Sequence, residues 1–96
     1  MLKHVVIFKF KKDAPESDKA NVEKSLKELP GLISEIKGFE VGRDILHSER
    51  SYDMGLVSLF DNVDAMKRYQ VHPAHVTVVE KLKKIADSIV VVDFEV

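Results

Sequence analysis

The segment YQVHPAHV, Tyr69 to Val76, sets a tyrosine and two histidines within seven residues, with a proline between the histidines. A fourth polar ring, His4, lies near the start in LKHVVIFKF. A histidine on an apolar face favours its neutral form, because burial disfavours charge, and the neutral ring accepts a proton. A tyrosine hydroxyl beside it donates a hydrogen bond to a developing oxyanion. Together they suit proton removal next to a carbonyl and stabilisation of the resulting enolate. The bland alternative is that His4, Tyr69 and His75 are satisfied core or capping residues.

The elements that would position these residues follow from hydrophobic spacing. Leu2 to Phe10 alternates, with Leu2, His4, Val6, Phe8 and Phe10 on one face and Val5 and Ile7 between lysines on the other. This is a strand with two largely apolar faces. A helix opens near Asp13–Ser17, and Val22, Leu26, Leu29 and Ile33 form its buried stripe until Pro30-Gly31 ends or kinks it. Ile36 to Leu46 reads as a second strand, HSERSYD as a polar loop, and Met54 to Phe60 as a third strand. Asp61 suits the N-cap of a helix running to about Tyr69. Pro73 suits the first position of a further helix reaching about Ala86, and Ser88 to Val96 is the last strand. The order is β-α-β-β-α-β, the α+β ferredoxin-like pattern, in a single domain over residues 1–96.

On the helix from Pro73, His75, Val78 or Val79, Leu82 and Ile85 share one stripe, so His75 stands at the N-terminal end of the buried face. His72 caps that helix or meets solvent. Met66 and Tyr69 share an inward face of the preceding helix. If helices cover the His4 face of the sheet, His4, Tyr69 and His75 converge on one cavity. Val6, Phe8, Leu26, Val78, Ile89 and Val91 would form its apolar lining.

Composition narrows the classes of function. The 15 basic and 16 acidic residues give a net charge of -1, with no nucleic-acid footprint. There is no cysteine, which excludes disulfides, thiol catalysis and cysteine-bound zinc. His72 and His75 are too divergent to begin a metal site, so no metal and no cofactor is expected. No apolar run is long enough for a membrane span, and a cytoplasmic location is expected. The last strand is apolar on both sides, Ile89 and Val91 on one and Val90, Val92 and Phe94 on the other. A row of wet valines is costly, so a homodimer packed sheet face to sheet face is expected.

Four stretches, LKHVVIFKFK, GFEVGRD, YQVHPAHVTV and VVVDFEV, resemble the stress-responsive dimeric α/β-barrel (Dabb) family, in order and over essentially the whole chain. The resemblance implies a ferredoxin-like subunit that pairs through its sheets into a dimeric α/β barrel. One plant member of the family closes a linear polyketide by aldol condensation and keeps the carboxylate. By that resemblance His75 matches the general base, Tyr69 the hydrogen-bonding tyrosine and His4 a pocket histidine. Leu26 stands where that cyclase has a further pocket tyrosine, which puts its substrate in doubt here. Three readings stay open: binding of a small, mostly apolar ligand with a stress-related role, a cofactor-independent cyclase or lyase acting on an enolisable carbonyl, and a structural dimer without a site.

Overall fold

In the computed structural model, which describes residues 1–96, the chain begins with β1 (Leu2–Phe10) at the centre of the sheet. It continues through α1 (Glu16–Leu32), β2 (Gly38–Arg43), β3 (Met54–Phe60), α2 (Val63–Val71), α3 (Pro73–Ile85) and β4 (Ala86–Glu95). The four strands are antiparallel in the order β2-β3-β1-β4. This is the ferredoxin-like α+β fold, with its second helical crossover broken into α2 and α3.

The period of two in β1 sorts its side chains as the alternation requires. Leu2, His4, Val6 and Phe8 are buried beneath the helices, and register places Phe60, Ser58, Leu56 and Met54 of β3 beside them. On the other edge of β1, Val6 faces Val91 and Phe8 faces Ile89. The stripe Val22, Leu26 and Leu29 of α1, with Ile33 at its cap, closes the core from above, joined by Met66 and Tyr69 of α2 and by Val78, Leu82 and Ile85 of α3. The opposite sheet face presents Val5, Ile7, Val57, Val90, Val92 and Phe94 with no helix over it. No helix of the chain is long and apolar enough to cross a membrane.

Several boundaries differ from the expectation. α1 continues through Pro30 to Leu32, and the Ile33 N–H closes it on the Leu29 carbonyl at 2.9 Å. A proline in the last turn forfeits one backbone hydrogen bond near an end that is already poor in them, which limits its cost. The cap of α2 is Asn62, not Asp61: its side-chain oxygen accepts the Ala65 N–H at 2.9 Å. β2 is shorter than Ile36–Leu46, because only Gly38–Arg43 faces β3 in register. β4 begins at Ala86 rather than Ser88, pairing with Phe10 across an irregularity at Lys9/Phe10.

Candidate functional site

The corner between α2 and α3 is built by the HP dipeptide. A residue before proline is pushed out of the helical region, and His72 sits extended at φ -63°, ψ 135°. Pro73 then starts α3, where its missing N–H costs nothing, and the His72 Nδ1 accepts the Ala74 N–H at 3.1 Å. His72 is therefore a cap. The break leaves the carbonyls at the end of α2 without helical partners. His75 satisfies one of them, donating from Nδ1 to the Gln70 carbonyl oxygen at 3.0 Å.

That bond fixes the tautomer of His75. With Nδ1 committed as donor, Nε2 of the neutral ring is an acceptor. Burial holds the His75 imidazole below its ordinary pKa, and the neighbouring His4 and His72 push in the same direction, against the opposing pull of the Gln70 carbonyl. Its ring lies 4.3 Å from the Tyr69 ring, centre to centre. Half-buried rather than fully enclosed, His75 sits at the edge of the apolar stripe.

Tyr69 is the hub of the cluster. Its ring packs 4.8 Å from Phe60 and meets His4 edge-on at 6.4 Å. Only 1% of the residue is exposed, and desolvation alone drives its pKa well above the ordinary value. The hydroxyl therefore stays protonated and remains a donor. No fully buried side-chain nitrogen or oxygen in the protein lacks a hydrogen-bond partner, and no hydrogen bond contributes to the Tyr69 shift. Tyr69 also lines a cavity between sheet and helices.

His4 reaches the same space from β1. The antiparallel register sets it opposite Asp93, and its Nδ1 donates to the Asp93 carboxylate at 2.5 Å. Ser58, also buried, donates to the His4 backbone carbonyl at 3.0 Å, so the β1 anchor is satisfied from both neighbouring strands.

These rings stand at one end of a cavity of about 190 Å³ between sheet and helices. Its lining includes His4, Tyr69 and His75 together with Val6, Phe8, Leu26, Val78, Ile89 and Val91, all nine residues singled out from the sequence. Leu56, Gln70, Val79 and Leu82 complete it. Of the lining residues, Ile89 and Val91 of β4 are 40% and 52% exposed although they point to the helix side. Larger clefts exist on the surface, of about 400 Å³ at the end of β1 and about 310 Å³ beside the start of α2. Charged and polar side chains predominate in both. Ligand sites are mostly apolar with a few convergent polar groups, and the smaller cavity alone has that character.

Asp93 and Gln70 were not singled out from the sequence. Period two along β4 puts Asp93 on the same face as Ile89 and Val91, which is the available signal, but pairing it with His4 requires the register. Gln70 acts through its backbone oxygen, for which side-chain identity gives no signal. No group of three His, Asp or Glu side chains is gathered closely enough to hold a metal ion.

Comparison with known proteins places this geometry in context. The family model of the stress responsive A/B barrel domain matches residues 2–96. An uncharacterized protein of Streptomyces coelicolor is 32% identical over 99% of this chain and 99% of its own length. Olivetolic acid cyclase of Cannabis sativa is 25% identical over 97% of this chain and 94% of the cyclase. The crystal structure of a dimeric protein with a ferredoxin-like fold from Bacteroides fragilis superposes with a TM-score of 0.87 at 35% identity, covering 99% of this chain and 95% of the other.

Proposed function

Because the chain belongs to the stress responsive A/B barrel domain family, whose relatives include a cyclase, we propose that it binds a small, mostly apolar molecule bearing a carbonyl group in the cavity between sheet and helices. The observation that carries this reading is the cavity itself, mostly apolar, with the protonated Tyr69 phenol, His4 and His75 as the few polar groups gathered in its lining. A carbonyl oxygen is the acceptor the phenol fits, and the rest of the ligand lies against Val6, Leu26, Val78 and Ile89. Size agrees with a compact ligand, since an apolar cavity of roughly 150 Å³ accommodates benzene. Thermal-shift titration with acetophenone tests the proposal. Wild type should gain stability with ligand, and Leu26→Trp, which fills the cavity, should gain none. Equal shifts in both would contradict the reading.

A second reading is favoured by the His75–Gln70 hydrogen bond. An imidazole oriented with Nε2 as acceptor beside a permanent phenol donor is the arrangement for enolisation. Nε2 takes the proton on the carbon next to the carbonyl, the C–H electron pair forms the enolate double bond, and the carbonyl π pair moves onto oxygen. Tyr69 donates to that oxygen. The enolate carbon can then attack a second carbonyl, closing a ring, or take its proton back. The chemistry needs no cofactor. Exchange of the α-protons of acetophenone in D₂O, followed by NMR, tests it: catalysed exchange is expected in wild type and its loss in His75→Ala.

The reading extends to assembly as a homodimer through the open sheet face. Val90, Val92 and Phe94 are 44%, 55% and 45% exposed there, a row that a second copy would cover. The dimeric relative from Bacteroides fragilis supports pairing as such.

A further inference from the structure

We propose that Gly42 and Gly55 are seats for the Val90 and Ile7 side chains of a second copy of this chain, and that they align the two sheets about a two-fold axis parallel to the strands. The inference rests on the sheet-face homodimer proposed above and adds the residues that set its geometry.

Three of the chain's four glycines, Gly38, Gly42 and Gly55, lie within strands. Leu56 is buried under the helices, so its neighbour Gly55, and Gly42 paired with Gly55, belong to the open face. A glycine inside a strand weakens it, and a common reason to find one there is close approach by another group. Nothing inside the subunit supplies that reason at these two positions. No glycine of the chain has a positive φ, and a Cβ at Gly42 or Gly55 would meet no atom within 4 Å. The space they leave opens outward.

The register shows what fits this space. One row across the open face runs Gly42, Gly55, Ile7, Val90 from β2 to β4, two bare positions followed by two apolar side chains. Ile7 and Val90 are 39% and 44% exposed. Rotation about an axis parallel to the strands lays this row on itself in reverse. The partner's Val90 then meets Gly42, the partner's Ile7 meets Gly55, and symmetry repeats both contacts. A second row, from Gly38 through Leu59 and Lys3 to Phe94, reverses likewise and sets the partner's Phe94 over Gly38.

The other aligned packing has its two-fold axis across the strands. It stacks β4 on the partner's β4 and β2 on the partner's β2, so ridge meets ridge and hollow faces hollow. Interiors are close-packed and voids are costly, which favours the arrangement that fills the glycine seats.

Dimer dissociation constants from sedimentation equilibrium test the proposal on wild type, Gly42→Val and the double variant Gly42→Val with Val90→Gly. Gly42→Val should weaken the dimer at least a hundredfold. Exchanging large for small at the facing position should recover at least tenfold of that loss. Should loss of the dimer also unfold Gly42→Val, as read by circular dichroism, the double variant still decides by regaining a folded dimer. A wild-type dimer matched in affinity by Gly42→Val would overturn the seat while leaving the sheet-face dimer intact. A double variant no tighter than Gly42→Val would overturn the alignment of Val90 on Gly42. A monomeric wild type would remove the homodimer reading and this inference with it.

Discussion

At the scale of single residues, two histidines separated by a prolyl-alanyl pair have opposite tasks. His72 spends its Nδ1 on the Ala74 N–H, whereas His75 spends its Nδ1 on a carbonyl and keeps Nε2 as an acceptor. His75→Ala should lower catalysed α-proton exchange about 10²–10⁴-fold, the usual contribution of a general base. Tyr69→Phe removes one oxyanion donor and should lower it about 10²–10³-fold while preserving the ring cluster. The pH dependence has a definite sign. Because His75 titrates below the ordinary value of 6.5, its base form persists as pH falls through 6.5, so the acid limb of a rate–pH profile should lie below that value. For stability, the unfolded chain takes up this proton first. The His75 contribution is therefore present above pH 6.5 and is lost as pH falls toward the folded-state pKa. A rate profile with its acid limb above 6.5 would contradict the assignment. The inward placement of Tyr69 and His75 is readable from helical spacing, since each shares a stripe with apolar neighbours. The tautomer is not, because it depends on a backbone oxygen freed by the chain break.

At the scale of elements, the strand and helix periods locate the core well, and boundaries are where local chemistry leaves choices. Asp61 and Asn62 are both good caps, and the sequence DNV does not say which begins α2. The structure selects Asn62 through the Ala65 N–H. Asn62→Ala should therefore destabilise the protein by about 1 kcal/mol in urea unfolding, and Asp61→Ala by only a few tenths. The reverse order would contradict the cap. The α1 stripe is equally explicit: Leu29 is fully buried on a helix that Pro30 does not end. Leu29→Ala should cost about 2–5 kcal/mol by the same measurement. The His4–Asp93 pair marks the limit of legibility at this scale. Both residues lie on apolar faces of strands, but the sequence does not state that β1 and β4 are neighbours in that register.

At the scale of the whole molecule, the sheet is apolar on both sides. One face, under the helices, forms the core and the cavity, and the other carries the apolar row from Val5 to Phe94. The two-sided pattern of SIVVVDFEV is visible in the sequence because neither alternation is polar. Light scattering at micromolar concentration should give a dimer for wild type, and Val92→Glu with Phe94→Glu should give a monomer. A monomeric wild type would contradict the proposed assembly. The central claim, that this cavity receives a carbonyl compound, is tested most directly by a crystal structure of the protein with acetophenone. The account predicts the carbonyl oxygen within hydrogen-bonding distance of the Tyr69 hydroxyl, with the ring between Leu26, Val78 and Ile89. Acetophenone bound elsewhere, with the cavity closed or empty of it, would contradict the account.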